Sequence, residues 1–575
     1  MKQIITIGKQ CFRPFGMLFL ILFFASFSCK YSDKPQENKI FTDLLEYKEV
    51  RKAKLNQYRP VIHNNDGCDA YLYPMVTPEY VLLRINQPRP GNMKKSAVDY
   101  EFSIANFLNL RSRGLKGSDV STISYTSIAS SFGQFTHDTK VGEFLTLTHQ
   151  RPGCRNVVPE FVKLGTDPIE VTCKFAHENN LEFFWCNRIN DCHDSGHTPE
   201  NPYERFSKLK TEHPEYLFGA CQEKLSYGRW SAVDFSHKEI RDLCVQYYTE
   251  VCENYDVDGI EMDFFRHLYL FKNVARGEFA SQAQLDTFTN MVTEIREMTE
   301  RVGMKKGKPI LFLVRIPDSI EYCRGVGIDI VTWMSKGLVD IIVGSDYFRL
   351  NPWKYIAALG HKHGVKAYAG LSEPRVSNEH PQLVRLQNPV YRARSAAAWQ
   401  AGVDGLYIFN EYNTRSLYLS EIGSALQLKG KNNLYFATYR NASPNSYLKN
   451  GSSYKNIPLV TPSNTVKLDN QSVTYSIEFG DESKQAKVAL ILYSQGGNPA
   501  AVRAYLNNSQ LNFRKSTGDG LSVYEIPQEA IKPGANSLKL TNDSGQGILT
   551  LMDVAVLFYR DKDDPDTKKL AALCF

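Results

Sequence analysis

Short apolar runs alternate with longer stretches of helical periodicity over residues 55–430. Repeated strand-then-helix patterns are typical of βα units whose strands pair in parallel. The predicted strands are 60–63, 120–125, 181–187, 257–263, 309–315, 339–345, 365–370 and 405–409. The predicted helices are 97–114, 168–179, 240–255, 282–302, 326–336, 353–363 and 389–401. Eight such units predict an α/β fold, a (β/α)₈ TIM barrel with enlarged loops.

The pattern changes near residue 460. Runs at 473–479, 486–493 and 550–558 alternate apolar and polar side chains and are separated by Gly, Asn and Pro. This is typical of an antiparallel β-sandwich. We therefore predict a barrel over 55–430, a linker over 431–459 and a C-terminal sandwich over 460–562. The sandwich is either a carbohydrate-binding module or a structural appendage of the barrel.

The N-terminal segment 1–29 has a different character. Three basic residues precede the apolar run 16–25, which is too short to span a bilayer and is typical of a signal peptide. Ser26 and Ser28 precede Cys29, with Phe27 between them where many such signals have a smaller residue, and a polar stretch follows. Because this order is similar to a bacterial lipoprotein signal, we expect an acylated Cys29 and a tether over 30–54. The protein is then exported and held in the bacterial cell envelope, on the outer membrane or the periplasmic face.

Composition excludes several classes of function. The net charge of +6 comes without any block of Lys and Arg, so nucleic acid is not an expected partner. No Gly-x-Gly-x-x-Gly motif or phosphate loop follows a predicted strand, and no cofactor is expected. The 12 cysteines include no Cys-x-x-Cys pair, which argues against a zinc or redox site. Cys186 and Cys192 can pair if the loop between them folds back.

Polar residues recur at nearly every predicted strand end. In a (β/α)₈ barrel these ends form one rim, where the βα loops meet and the active site lies. A barrel stabilised only by packing has no need of polar groups at that rim. The rim candidates are Asn65, Asp66, Asn190, Asp191, His193, Glu261, Asp263, Arg266, His267, Arg315, Asp346, Tyr347, Glu373, Glu411 and Tyr412.

The most informative motif is Tyr-Asp-Val-Asp-Gly-Ile-Glu-Met-Asp-Phe-Phe-Arg-His at 255–267. Strand alternation places Glu261 and Asp263 on the same face. With Asn-Asn-Asp-Gly at 64–67, Asn-Asp-Cys-His-Asp at 190–194 and Arg-Ile-Pro at 315–317, the chain resembles the family-ten glycosyl-hydrolase-like group of bacterial lipoproteins over roughly 55–430. The motif is also similar to the family-18 chitinase strand, but Phe265 stands at the position of that family's catalytic Glu.

The resemblance implies a glycoside hydrolase acting on a polysaccharide or oligosaccharide. Such enzymes use two carboxyl groups, one to protonate the leaving oxygen and one to attack the anomeric carbon or activate water. Asp263 is the first candidate, and its partner is Glu373, Asp346 or Glu411. Glu373 ranks first because many retaining barrel glycosidases carry a catalytic Glu after the seventh strand. The residues expected to bind substrate are Asn65, Asp66, Trp185, Asn190, Asp191, His193, Glu261, Arg266, His267, Arg315, Tyr347, Glu411 and Tyr412.

Several alternatives stay open. A glycan-binding lipoprotein that kept the barrel but lost turnover fits the same pattern. Glu261 either raises the pKa of Asp263 by like-charge repulsion or holds an arginine in place. His63, His137, His193 and His197 suggest a metal, but their spacing lacks a convincing second ligand pair, so no metal is expected.

Overall fold

The computed structural model describes residues 40–74, 101–128, 130–145, 154–344, 347–469, 471–480, 486–542 and 547–575. Eight parallel strands close into a barrel in chain order, with the last strand paired to the first. The predicted barrel is confirmed. Its strands are β1 Val61–Asn65, β2 Val120–Thr126, β3 Glu182–Arg188, β4 Gly259–Asp263, β5 Leu311–Ile316, β6 Ile341–Gly344, β7 Lys366–Ser372 and β8 Gly405–Phe409.

Helices surround this barrel, and one further helix follows the last strand of the sandwich. They are α1 Leu44–Leu55, α2 Cys68–Tyr71, α3 Ile104–Arg111, α4 Val158–Lys163, α5 Pro168–Glu178, α6 Lys208–Glu212, α7 Lys238–Asn254, α8 Lys272–Ala275, α9 Gln282–Lys306, α10 Ile320–Val326, α11 Ile330–Ser335, α12 Trp353–Lys362, α13 Asn388–Gln400 and α14 Pro565–Cys574. None of the helices among the described residues is long and apolar enough to cross a membrane.

One predicted helix, 326–336, is wrong as a continuous element. The structure has α10 and α11 instead, separated at Gly327, whose φ of +105° ends α10 in the left-handed region. A Cβ on Gly327 would lie 2.5 Å from the ring of Phe271. Glycine is therefore required there both for the backbone conformation and for the close approach of the ring.

The last part of the predicted tether is a packed helix. Asp43 caps α1, and Tyr47 is buried, with its hydroxyl donating to the Thr299 carbonyl of α9 at 3.2 Å. Lys54 pairs with Asp258, just before β4, at 2.8 Å. These contacts attach α1 to the side of the barrel opposite the rim that carries the strand ends.

The C-terminal region is an antiparallel sandwich, as predicted. Its strands are β9 Asn433–Phe436, β10 Val466–Leu468, β11 Ser472–Phe479, β12 Lys487–Gln495, β13 Val502–Leu506, β14 Ser509–Gln510, β15 Asn512–Ser516, β16 Leu521–Glu525, β17 Gly534–Asn542 and β18 Leu549–Tyr559. One sheet has the order β9-β18-β12-β16-β15, with β10 also on β18, and the other is β11-β17-β13-β14. Strand β9 falls within the predicted linker, where its four buried residues pair with Ala555–Phe558.

The segment that follows β9 lies against the loops at the C-terminal ends of the barrel strands. Pro444 accepts a hydrogen bond from the Tyr322 hydroxyl at 2.7 Å, and Asn456 donates to the Leu350 carbonyl at 2.7 Å. The ring of Tyr447 lies 5.5 Å from that of Tyr269. This segment therefore builds part of the rim on which the candidate site lies.

Candidate active site at the C-terminal face of the barrel

Strand pairing places three charged residues in one row at the barrel rim. Arg188 of β3 is paired with Asp263 of β4, which is paired with Arg315 of β5. Arg315 donates from Nε to Asp263 Oδ1 at 2.9 Å and from Nη2 to Oδ2 at 2.5 Å. All three side chains are buried. The carboxylate of Asp263 is thus held in one orientation by a bidentate guanidinium.

Glu261 lies one layer deeper in the barrel. Its carboxyl accepts hydrogen bonds from the hydroxyls of Ser124 and Tyr407, the latter at 2.6 Å, and lies 3.9 Å from Arg315 Nε. Burial and the neighbouring Asp263 raise the pKa of Glu261 to about 7, although Arg315 and the two hydroxyls oppose the shift. Glu261 therefore forms the polar floor of the site and helps to place Arg315.

The loop after β3 carries a second charged group. Asp191 hydrogen-bonds to His193 and lies 3.4 Å from Arg188 Nη1 and 3.7 Å from Arg266 Nε. Burial alone would raise the pKa of Asp191, but His193 and the two arginines hold it well below its usual range. Burial lowers the pKa of His193 in spite of Asp191. His267 accepts from the Cys192 amide at 2.9 Å and so fixes this loop.

Tyr347, which lies just after β6, connects the charged group around Asp263 with the charged group around Asp191. Its hydroxyl hydrogen-bonds to Arg266, and the guanidinium carbon of Arg440 lies 4.3 Å from its ring centre. Burial would raise the pKa of the phenol, but Arg266, Arg440, Arg315 and Arg188 together lower it below its ordinary value. Arg440 also donates to Ser372 Oγ and to the Glu373 carbonyl.

Two further carboxyl groups lie after β7 and β8. Glu373 accepts from Arg375 Nε at 3.0 Å. Glu411 accepts from the Tyr418 hydroxyl at 2.6 Å and from the Asn413 amide at 2.7 Å. Burial raises the pKa of Glu411 to about 7. A raised pKa of this kind suits a carboxyl that gives up a proton near neutral pH.

The first and last strands meet at Asp66. Its carboxylate binds Arg111 and accepts from the Tyr412 hydroxyl at 2.9 Å, and the Tyr412 ring lies 4.5 Å from the Arg111 guanidinium carbon. Burial opposes ionisation of Asp66, yet Arg111 and Arg188 lower its pKa below the usual range. Tyr412 is therefore fixed beside the site rather than free to rotate.

A separate cavity of about 220 Å³ is lined in part by Gly196, which belongs to the loop that carries Asp191. Tyr71 and Tyr203 line it together with Arg205, whose guanidinium carbon lies 4.8 Å and 4.9 Å from their ring centres. Aromatic walls of this kind bind the apolar faces of small ligands, while guanidinium groups supply hydrogen bonds.

Three predicted substrate contacts are placed differently. Trp185, expected to bind substrate, is fully buried and donates from Nε1 to Ser127 Oγ at 2.8 Å, so its ring offers no exposed surface to a ligand. Asn65 binds Asp69 and the Gly67 amide behind β1. Asn190 uses its amide on Val233 and Tyr269. Of the other predicted residues, Cys29 and Asp346 lie outside the described residues.

A pairing of Cys186 with Cys192 is also wrong. Both are free thiols: Cys186 points into the barrel beside Glu261 and Asp263, whereas the Cys192 thiol donates to the Asn190 carbonyl. The ligand atoms of Cys186, Glu261 and Asp263 lie within 4.8 Å of one another. Arg315 already occupies Asp263, and burial raises the pKa of the Cys186 thiol well above its ordinary value. This environment opposes a cation.

Sequence reasoning missed three arginines and a tyrosine of the site, namely Arg111, Arg188, Arg440 and Tyr407. Arg188 and Tyr407 were recoverable, because each stands at even spacing in its strand from an inward-facing neighbour, Cys186 or Phe409. Arg440 had no such signal. It lies after β9, in the predicted linker, and reaches the barrel only through the tertiary packing of that segment.

Fold and rim together define a (β/α)₈-barrel protein with a buried, charged site at its C-terminal face. No protein-family model matches the sequence, and no curated protein matches it. Among solved structures, the chain is similar to the GH36 α-galactosidase AgaA from Geobacillus stearothermophilus, with 13% identity and a TM-score of 0.34. That match covers 90% of this chain and 58% of AgaA.

Two other solved structures show the range of the similarity. The PgaB (BpsB) glycoside hydrolase domain from Bordetella bronchiseptica has 8% identity and a TM-score of 0.38, over 64% of this chain and 99% of that domain. The 3-dehydroquinate dehydratase from Geobacillus kaustophilus HTA426 has 12% identity and a TM-score of 0.20, over 29% of this chain and 56% of the dehydratase. Glycoside hydrolases therefore recur among the structural neighbours. The assignment of the barrel fold depends on the closed eight-stranded sheet and not on these similarities.

Proposed function

We propose that the protein is a glycoside hydrolase that cleaves a polysaccharide or oligosaccharide at the C-terminal face of its barrel. One observation carries the proposal: Asp263 is held by Arg315 at a rim where carboxyl groups from other strands also gather. Hydrolysis of a glycosidic bond requires two carboxyl groups with different protonation states. The glycoside hydrolases among the structural neighbours are consistent with this activity.

Asp263 suits the ionised role. Both of its oxygens face the guanidinium of Arg315, which stabilises the negative charge needed by a nucleophile or base. The proton donor is then Glu411 or Glu373. Glu411 has the raised pKa, about 7, that a general acid needs at neutral pH, and Glu373 remains the candidate favoured by its position after β7. Asp346 is a third candidate.

The decisive test is product release by the full chain in detergent from a panel of neutral, uronic and sulfated polysaccharides. Glu373→Gln and Glu411→Gln are compared with the unchanged protein, and Asp263→Asn is compared at a temperature where it remains folded. The proposal expects loss of cleavage in Asp263→Asn and in one of the two glutamate variants. Equal cleavage by all four proteins would remove these carboxyl groups from the mechanism.

A glycan-binding protein without turnover is the second candidate. It is favoured by the same ion pair, because both oxygens of Asp263 already accept hydrogen bonds from Arg315 and Oδ1 also accepts from the Phe265 amide. This candidate expects binding of a glycan by the unchanged protein and by Asp263→Asn, with no product from either. Detection of any product that Asp263→Asn fails to release would reject it.

We also propose that Cys29 carries a lipid that holds the protein in the bacterial cell envelope. The apolar run before Cys29 and the polar stretch after it support the proposal. Mass spectrometry of the membrane-extracted protein tests it, because an acylated cysteine adds the mass of its fatty acyl chains to the N-terminal peptide. Cys29→Ser should abolish that mass and release the protein from the membrane fraction.

A further inference from the structure

Arginines from four separate parts of the chain converge around Tyr347. Arg266 binds the hydroxyl, and Arg440 lies against the ring. The ring of Phe409 lies 5.8 Å from that of Tyr347 and is covered by two further guanidiniums, at 4.1 Å and 5.9 Å. We call this group the arginine cluster; its members are Arg188, Arg266, Arg315 and Arg440.

The carboxylates beside the cluster do not match its charge. Among the described residues, Asp263 pairs with Arg315, which also lies 3.9 Å from Glu261, while Asp191 is shared between Arg188 and Arg266. Arg440 donates to a serine hydroxyl and a backbone carbonyl, and it has no carboxylate within ion-pair distance in the described part of the chain. Among the described residues, the four guanidiniums of the cluster therefore outnumber the three carboxylates that pair with them.

One guanidinium of the cluster, that of Arg266, lies nearer to solvent than its carboxylate partner. The side chain of Arg266 is 21% exposed, whereas those of Asp191 and Asp263 are 1% and 0% exposed. Arg188 Nε and Arg266 Nε are buried nitrogens without a hydrogen-bond partner among the described residues. A ligand that enters beside this pair thus meets the guanidinium of Arg266 before it meets the carboxylate of Asp191.

We propose that the arginine cluster binds a negatively charged group of the sugar, a carboxylate or a sulfate ester, so that the site accepts an acidic glycan. The inference rests on the proposed function of the rim as a carbohydrate site. Guanidinium groups suit this role because their planar donors match the oxygens of such anions and they are weakly hydrated. A neutral sugar offers no charge to balance Arg440.

The test is calorimetric binding to the full chain in detergent, with oligosaccharides of equal length as probes. One probe carries uronic acid, one carries sulfate esters and one is neutral. Arg440→Gln removes one positive charge from the arginine cluster. Arg440→Lys keeps the charge but lacks the planar set of donors of a guanidinium. Arg415→Gln is the matched control, since Arg415 is an exposed arginine after β8 whose guanidinium binds Asn109 at 2.7 Å.

The inference expects tighter binding of an acidic probe than of the neutral one, with a loss of about tenfold in Arg440→Gln because a charge-assisted hydrogen bond is removed. Arg440→Lys should recover part of this affinity, Arg415→Gln should retain all of it, and added salt should weaken it. Whichever acidic probe binds identifies carboxylate or sulfate as the ligand.

Other outcomes separate this inference from the proposed function. Cleavage of neutral glycans that depends on Asp263, without a preference for either acidic probe, would overturn the inference and leave the glycosidase intact. Binding of an acidic probe that depends on Arg440, without cleavage, would support the inference and reject the enzyme. Equal losses for acidic and neutral probes in Arg440→Gln would also overturn it. The thermal unfolding midpoint of each variant verifies that it is folded.

Discussion

Arg315 donates to both carboxylate oxygens of Asp263, and neither side chain is exposed. The strand register makes the two residues neighbours, so the backbone brings the charges together before side-chain packing fixes them. A buried pair of this kind orients the carboxylate, and removal of one partner destabilises the fold because it leaves the other charge buried and unpaired. Variants of Asp263 therefore change the stability and the chemistry together.

We expect Asp263→Asn to lower the free energy of unfolding by about 3–5 kcal/mol, because it leaves the buried charge of Arg315 uncompensated. Arg315→Met should lower it as well, since it leaves Asp263 without its partner. The double variant Asp263→Asn, Arg315→Met should lose less than the sum of the two single losses. Urea unfolding followed by circular dichroism measures all three; strictly additive losses would contradict the coupling.

A second buried pair supplies the matched control for activity. Asp340 accepts from Arg296 Nη2 at 2.6 Å at the opposite end of the barrel, just before β6. Asp340→Asn should reduce stability to a similar extent and keep cleavage at temperatures where it is folded. If Asp340→Asn also abolished cleavage, loss of activity in Asp263→Asn would no longer locate the chemistry.

Glu411 should make stability depend on pH. Its pKa in the folded protein is about 7, above its ordinary value of 4.5, because it is buried. Between these values the folded protein keeps a proton that the unfolded chain has released, so stability falls as pH rises through this window. The free energy of unfolding of the unchanged protein should decline there relative to Glu411→Gln. Parallel pH dependences of the two proteins would contradict the raised pKa.

If Glu411 is the proton donor, the pH dependence of the activity should also show the raised pKa of this carboxyl. The rate should then fall on the alkaline side with an apparent pKa near 7, because only the protonated carboxyl can act as the acid. The pH profile of Glu411→Gln should lack this alkaline decrease, and the variant should lose most of the rate. Glu373→Gln, measured in parallel, should keep the decrease. The reverse result would assign the proton donor to Glu373.

Tyr347 should ionise below the ordinary tyrosine pKa of 10.0, because four arginines outweigh the effect of burial. The difference in phenolate absorbance between the unchanged protein and Tyr347→Phe isolates this group from the other tyrosines. Arg440→Gln should shift the titration upward, since it removes one of the positive charges beside the ring. A Tyr347 titration above that of free tyrosine would show that burial dominates.

The fold was predictable because its signals are local and repeated. Each strand of the barrel is a short apolar run, and the 255–267 motif placed Glu261 and Asp263 on one face. The hydrogen-bond partners of individual side chains were less predictable. Asn190 and Trp185 were expected to bind substrate, but their polar atoms form hydrogen bonds with neighbouring loops. Arg440 depends on contacts between distant segments, which periodicity does not encode.

Trp185 tests whether a residue near the end of a barrel strand acts in the site or only in packing. Because its indole is buried and donates to Ser127, Trp185→Phe should cost about 1–3 kcal/mol of unfolding free energy through the lost hydrogen bond and the space left by the smaller ring. It should leave glycan affinity unchanged. By contrast, Tyr203→Ala beside the 220 Å³ cavity should leave stability nearly unchanged and weaken any glycan bound there. A loss of affinity in Trp185→Phe at unchanged stability would return Trp185 to the site.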